Sequence, residues 1–255
     1  MQSTLLQLRQ DNAYWRSPSG QAALAWEQRV LDTFAERVFG FYALSIDLPQ
    51  LDALKQSTIH HSIHLGVGAL APAAQAAQFD IHDWPIQNDA LDYIVLPHVL
   101  EFSVDPHAVL REAARCLRPG GSLSLTAFNP HSVLGWQAGH TELGKRADWV
   151  SRRRLIDWMA LLNLHTDRGA FGQWRPMCEQ VQSFKRLDWL DSAGERWWPH
   201  LANVFALRVV KRVSPDLRQM PERKESIFAV PQRTAVSAQT RQDVEASVLS
   251  SHEPK

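Results

Sequence analysis

The chain has few cysteines, no long apolar run and no excess of charge of either sign. Its two cysteines, Cys116 and Cys178, lie far apart, so the sequence predicts neither a disulfide framework nor a zinc knuckle. No stretch approaches the roughly 18 apolar residues that a membrane span needs, and the first residues lack the apolar segment of a signal peptide. We therefore expect a soluble, cytoplasmic protein without a membrane partner.

Charge is balanced, with 27 basic and 27 acidic residues. This balance gives no general attraction to nucleic acid and favours a small molecule as the partner. The eleven histidines raise the question of a metal site. His60 and His61 would point in opposite directions on a strand, however, and no HExxH motif accompanies them. We expect no metal site, and the sequence does not indicate an oligomeric state.

Apolar residues at helical spacing alternate along the chain with short strand-like runs. Helices are predicted at 21–39, 51–56, 105–117 and 151–164, the third with Asp105 as its N-cap. Strands are predicted at 41–48, 62–67, 79–83, 91–96, 122–128 and 201–213. This alternation predicts an α/β fold, with a doubly wound, mostly parallel sheet that carries helices on both faces.

Composition divides the chain into an N-terminal helical region at 1–40, a main domain at 41–213 and a tail at 214–255. The tail is rich in Ser, Gln, Pro, Arg and Glu, so we expect it to be mostly disordered. Seven of the ten tryptophans lie between Trp136 and Trp198. They favour a Trp-rich core in the second half of the domain. The alternative is an aromatic surface for a flat substrate or partner.

Three motifs follow one another in the middle of the chain: DWPI at 83–86, LDYIV at 91–95, and a third motif that begins with LRE at 110–112 in the predicted helix and ends with RPGG at 118–121, which stops that helix. In order and spacing they resemble the centre of class I S-adenosylmethionine-dependent methyltransferases, the type 11 group especially. The resemblance implies a Rossmann-like sheet with an antiparallel last strand. It also implies S-adenosylmethionine as cofactor and transfer of a methyl group to an acceptor that the sequence does not identify.

The glycine loop of that family, which follows the first strand, is degenerate here. Its nearest match is Gly66-Val67-Gly68, but the 17 residues from Gly66 to Asp83 are too few for the elements that should intervene. A second alignment makes 43–48 the first strand and 62–67 the second, and it restores the element count. It places Asp47, followed by Leu-Pro-Gln, where the glycines should be, and we prefer it.

The resemblance also assigns cofactor contacts. Asp83 matches the position that hydrogen-bonds the adenine amino group, and Trp84 could pack on the purine face. The alternative is that Asp83 caps a turn and Trp84 belongs to the core. Leu96 and Pro97 begin the loop after the fourth strand, which would also contact the cofactor. Asp47, Gly66 and Gly68 complete the predicted cofactor-binding residues.

His98 follows a strand end, where open α/β sheets bind ligands, and an imidazole with an ordinary pKa suits a general base. Glu101 could orient it, so His98 and Glu101 are the predicted catalytic residues. The leading hypothesis is a methyltransferase. A methyltransferase-like scaffold without catalytic activity is the alternative, favoured by the degenerate glycine loop. A nicotinamide-binding turn at Gly66 is weaker, because it lacks a third glycine.

Overall fold

The computed structural model describes residues 13–46, 48–65, 80–138, 147–178 and 180–212. Its strands are β1 (Tyr42–Ile46), β2 (His61–Leu65), β3 (Leu91–Pro97), β4 (Leu117–Phe128), β5 (Leu164–Gly172) and β6 (Val204–Lys211). Its helices are α1 (Pro18–Ala35), α2 (Pro106–Cys116), α3 (Val133–Ala138), α4 (Arg152–Leu161), α5 (Val181–Arg186) and α6 (Trp189–Trp197). Short 3₁₀ turns cover Ala13–Arg16, Leu100–Phe102 and Pro199–Leu201.

The six strands form one sheet in the order β2-β1-β3-β4-β6-β5. Neighbours from β2 to β4 are parallel, whereas β6 runs antiparallel to both β4 and β5. The predicted doubly wound, mostly parallel sheet is therefore confirmed, and so is its antiparallel last strand. The second alignment, which takes 43–48 as the first strand and 62–67 as the second, agrees with the positions of β1 and β2 as adjacent parallel strands.

Each face of the sheet carries its own apolar cluster, because side chains along a strand alternate between faces. On one face, α2 and α4 pack against β3, β4 and β6 through residues such as Leu110, Leu155 and Ile94. On the other face, α1 and the first 3₁₀ turn pack against the same strands through residues such as Leu31 and Tyr93. Helices on both faces shield the central strands from solvent, and every residue of β3 is buried.

The unit from β3 through α2 to β4 follows its sequence signals closely. The Asp105 side chain accepts a hydrogen bond from the Ala108 amide at 3.0 Å and begins α2, with Pro106 in its first turn. The helix ends at Cys116, and β4 begins at once. Gly120 has a φ of 84°, a left-handed conformation that glycine adopts without strain. The predicted helix and strand are both confirmed here.

Two short elements predicted from the sequence are wrong. Residues 51–56 form turns rather than a helix. Of the strand predicted at 79–83, residues 80–83 form a turn closed by a single bridge between Asp80 and Asp83. Both segments are too short for their apolar residues to distinguish a strand or helix from packed turns.

The predicted Trp-rich core is also wrong. Of the seven tryptophans from Trp136 to Trp198, none is fully buried, and four are exposed: Trp136, Trp189, Trp197 and Trp198. The fully buried tryptophans among the described residues are instead Trp15 and Trp84. The tail predicted at 214–255 lies outside the described residues. No helix within the described ranges is long and apolar enough to cross a membrane.

Candidate functional site

The carboxyl ends of β1, β2, β3 and β4 meet at one edge of the sheet, because these strands are parallel. The chain continues from β1 outward to β2 on one side and from β3 outward to β4 on the other. Strand order therefore reverses between β1 and β3. Open α/β sheets bind ligands in the crevice outside such a switch point, which makes this edge the candidate site.

His98 directly follows β3 and lies between two buried carboxylates. Its Nδ1 is 2.9 Å from Glu101 Oε1, and its Nε2 is 2.9 Å from Glu27 Oε1. Glu27 Oε2 accepts a hydrogen bond from the Thr126 hydroxyl at 3.0 Å, and Glu101 Oε1 accepts one from the Phe128 amide at 2.7 Å. These contacts, which we name the Glu–His–Glu cluster after Glu27, His98 and Glu101, join α1 to the ends of β3 and β4.

The structure thus brings His98 and Glu101 together, as predicted, and adds Glu27, which the sequence reasoning missed. A signal for Glu27 exists in the sequence. Glu27 stands three residues after Leu24 and four before Leu31, so it falls on the apolar stripe of α1. An acidic residue in a buried stripe needs a partner, because a buried unpaired charge is costly.

The cluster determines the protonation of His98. Burial alone lowers the pKa of His98, but the carboxylates of Glu27 and Glu101 outweigh burial and raise it to about 9. At neutral pH His98 therefore carries a proton on each ring nitrogen and donates to both carboxylates. The ordinary imidazole pKa assumed for a general base does not hold in this conformation. Glu101 Oε2 is buried and has no hydrogen-bond partner among the described residues, so it can accept one from a ligand.

Aromatic side chains cover the cluster. The Phe128 ring lies 4.1 Å from the His98 ring, and the Trp15 ring lies 5.0 Å from it. Trp149 stacks on Phe128 at 5.0 Å. His98 is fully buried as a result. Its backbone has a φ of 50°, a left-handed conformation that non-glycine residues seldom adopt. A ligand reaches His98 only if α1 and the turn that carries Trp15 move.

Asp83 lies in the turn before β3, and its carboxylate is exposed. Its amide donates to Asp80 O at 3.1 Å. Trp84 differs from the prediction that it packs on a purine. It is only 2% exposed, belongs to the core, and donates from Nε1 to Ile81 O at 2.7 Å. The alternative prediction, that Trp84 belongs to the core, is therefore the one that the structure confirms.

Two residues of α2 hold this turn in place. The Trp84 amide donates to Glu112 Oε2 at 3.0 Å. Arg115 donates to the carbonyl oxygens of Trp84 and Ile86 at 3.0 and 2.8 Å, and it pairs with Glu112 at 2.7 Å. The acidic and basic residues of the α2 motif therefore act as a clamp on residues 84–86, directly beside Asp83.

The other predicted cofactor contacts divide into two groups. Leu96 and Pro97 are buried in β3, opposite Leu125 and Thr126 of β4, so a ligand can meet them only at the strand end. Asp47, Gly66 and Gly68 lie outside the described residues. Described residues between β1 and β2 form turns, and Leu48, Leu51 and Leu54 from this connection are buried in the core. The connection at 47–60 contains no glycine.

Comparison with known proteins identifies relatives by sequence. Residues 27–125 match the family described as methyltransferase domain. The demethylmenaquinone methyltransferase of Mycolicibacterium paratuberculosis (strain ATCC BAA-968 / K-10) is 31% identical over 212 residues, which cover 82% of this chain and 87% of the relative. The uncharacterized protein YafS of Escherichia coli (strain K12) is 30% identical over 149 residues. That match covers 55% of this chain and 61% of YafS, so it spans about three fifths of that relative.

A solved structure shares the fold. The crystal structure of a SAM-dependent methyltransferase from Thermotoga maritima superposes with a TM-score of 0.54 at 13% identity. The match covers 83% of this chain and 100% of that one. At this identity the likeness concerns the fold alone.

Proposed function

The chain belongs to the class I methyltransferase family, and on that premise we propose that it transfers a methyl group from S-adenosylmethionine to a small molecule. The observation that carries the proposal is the switch point between β1 and β3, at the carboxyl ends of the parallel strands. The Asp83 carboxylate is exposed in the turn before β3. When bound, S-adenosylmethionine supplies a methyl group on a positively charged sulfur. Methyl transfer by direct displacement needs positioning and exclusion of water more than acid–base chemistry.

The described residues fit such a cofactor in two respects. The Asp83 carboxylate can accept a hydrogen bond from the adenine amino group, and the clamp of Glu112 and Arg115 holds its turn. Glu101 Oε2 is a second acceptor near the end of β3, but it is buried, so a ligand reaches it only if α1 and the turn that carries Trp15 move. Leu96 and Pro97 would contribute at the strand end, and the proposed contacts of Asp47, Gly66 and Gly68 rest on the sequence resemblance.

In this proposal the Glu–His–Glu cluster holds α1 against the ends of β3 and β4. His98 holds a proton between Glu27 and Glu101, and the aromatic cover excludes water from it. Contact of His98 or Glu101 with the acceptor stays a prediction. A small-molecule acceptor is favoured by the balanced charge and by the name of the demethylmenaquinone methyltransferase relative.

Calorimetric titration with S-adenosylmethionine and S-adenosylhomocysteine tests the proposal. We expect micromolar binding by the wild type and about tenfold weaker binding by Asp83→Ala, since one charge-assisted hydrogen bond is lost. Asp157→Ala, which removes an exposed carboxylate from α4, is the control and should bind like the wild type. If folded protein gives no binding heat with S-adenosylmethionine and none with S-adenosylhomocysteine, the proposal is overturned.

A methyltransferase-like scaffold without catalysis is the second candidate. It is favoured by the connection between β1 and β2, where Leu48 and Leu51 are buried and the family's glycines are missing. Backbone approach to a cofactor is easiest at glycine, so their loss weakens a cofactor site. In the same titration, folded protein that binds neither ligand would favour this candidate.

A further inference from the structure

A concave surface lies on the outer side of α1, between that helix, the end of β5 and α6. It encloses about 420 Å³, within the range of ~300–1,000 Å³ that small-molecule sites occupy. Trp26 of α1, Phe171 of β5 and Trp174 line it. We name it the tryptophan cleft. Glu27 faces the sheet from the adjacent side of α1, so the cleft and the Glu–His–Glu cluster are separate.

Two glycines leave room for the tryptophan rings to pack closely against the backbone. A β-carbon at Gly172 would overlap the Trp26 indole, and a β-carbon at Gly194 would overlap the Trp174 indole. Gly194 lies inside α6, where glycine costs about 1 kcal/mol relative to alanine. The close approach of Trp174 explains a glycine at this unfavourable position. Both indoles therefore pack closely against a glycine in the walls of the cleft.

Hydrogen bonds fix the Trp174 wall further. Its amide donates to Asp191 Oδ1 at 2.8 Å, and its Nε1 donates to Trp198 O at 2.9 Å. Arg175 pairs with Asp191 at 2.9 Å, and its guanidinium lies 3.9 Å from the centre of the Phe184 ring. These contacts tie the end of β5 to α5 and α6, so the cleft is built before a ligand arrives.

The charges that line the cleft cancel. Arg29 and Arg175 contribute two positive charges, and Asp191 and Glu195 contribute two negative charges. The Asp191 charge is already paired with Arg175. An anionic or a cationic ligand therefore gains no net attraction, whereas the exposed Arg29 and Glu195 can still hydrogen-bond to polar groups on a neutral molecule.

We propose that the tryptophan cleft binds an uncharged, planar aromatic molecule that carries polar groups at its edge. Indole rings offer flat apolar contact, and aromatic rings in stacked or edge-to-face contact gain beyond the area that they bury. This site goes beyond the proposed methyl transfer, and its occupancy does not depend on S-adenosylmethionine. Trp26 packs partly against the apolar cluster on its face of the sheet, but neither Trp26 nor Trp174 is fully buried, so both keep surface for a ligand.

The probe for the test is N-phenyl-1-naphthylamine, an uncharged fluorescent aromatic molecule, titrated into the full chain without cofactor. We expect saturable binding with energy transfer from tryptophan. Ala22→Trp, which fills the cleft from α1, should weaken binding about tenfold or more. Ala25→Trp is the matched control, because it adds the same side chain at an exposed position of α1 that does not line the cleft.

Ser192→Trp fills the cleft from α6 and replaces Ala22→Trp if that variant fails to fold. The anionic probe 8-anilinonaphthalene-1-sulfonate should bind the wild type more weakly than the neutral probe. No binding of the neutral probe, equal binding by Ala22→Trp and Ala25→Trp, or tighter binding of the anionic probe would each overturn the proposal. Loss of S-adenosylmethionine binding would leave these results unchanged, so the two proposals fail separately.

Discussion

Glu27 lies on the buried side of α1, among residues that are otherwise apolar, and it contacts both His98 and Thr126. A buried ion pair is weak evidence for stability, because desolvation offsets much of the attraction. Removal of only one partner is strongly destabilising, because the remaining charge stays buried without a partner. The Glu–His–Glu cluster therefore makes the docking of α1 sensitive to single side chains and to pH.

The first prediction concerns pH. Because the folded-state pKa of His98, about 9, lies above the ordinary 6.5, its protonation stabilises the fold fully below pH 6.5. This stabilisation, roughly 3 kcal/mol, is lost as the pH rises through 9. Burial raises the pKa of the neighbouring Tyr14, so that residue stays neutral throughout. Urea unfolding between pH 6 and 10 measures the loss.

The matched control for that prediction is His131→Asn, which removes an exposed histidine. This variant should keep the decrease in unfolding free energy between pH 6.5 and 9, whereas His98→Asn should lose most of it. If His98→Asn and wild type show the same pH dependence, the cluster does not hold a proton as described.

A second prediction at this scale removes the carboxylate of α1. Glu27→Ala should lower the unfolding free energy by about 3–5 kcal/mol, because His98 and Glu101 stay buried with one partner missing. Glu36→Ala removes an exposed carboxylate at the end of the same helix and should change stability by less than about 1 kcal/mol. Similar losses in the two variants, measured by urea unfolding at pH 7, would contradict the assigned contacts.

At the scale of elements, strong local signals predicted the structure well. Asp105 and Pro106 fixed the start of α2, and the apolar run of β3 indicated a strand buried on both faces. The strand β5 was missed, because it lies at the sheet edge and only its two end residues are buried. Its pairing with β6 comes from backbone hydrogen bonds, which leave no apolar alternation in the sequence.

A strand was predicted at 79–83, but residues 80–83 form a turn, and the geometry of residues 84–86 that follow depends on contacts from another element. Arg115 reaches from α2 to the carbonyl oxygens of Trp84 and Ile86, 31 and 29 residues away in the chain. Local sequence carries no sign of such a contact. The motif residues Glu112 and Arg115 were recognised by resemblance, but their role as a clamp appears only in the structure.

The third prediction tests this clamp. Arg115→Lys keeps the charge but loses the fork of donors that bridges Trp84 O and Ile86 O. We expect a loss of about 1–3 kcal/mol in stability and faster amide hydrogen exchange in residues 84–89. Arg111→Lys, on the exposed side of the same helix, is the control and should match the wild type. Equal exchange in both variants would exclude the clamp.

At the scale of the whole molecule, composition separated an N-terminal helical region at 1–40 from the main domain. The contacts of α1 cross that boundary. Leu31 and Phe34 share an apolar cluster with Tyr93 and Val95 of β3. Arg208 of β6 donates to Phe34 O at 3.0 Å. Composition describes each segment alone, so it could not indicate that the helix completes the second face of the sheet.

The last prediction follows from this shared core. Leu31 in α1 and Leu110 in α2 are fully buried on opposite faces of the sheet. Replacing either with alanine should cost about 2–5 kcal/mol and shift one single unfolding transition, because both faces share the central strands. Far-ultraviolet circular dichroism and tryptophan fluorescence should then report the same midpoint. An early partial transition confined to Leu31→Ala would mean that α1 unfolds separately from the rest of the fold.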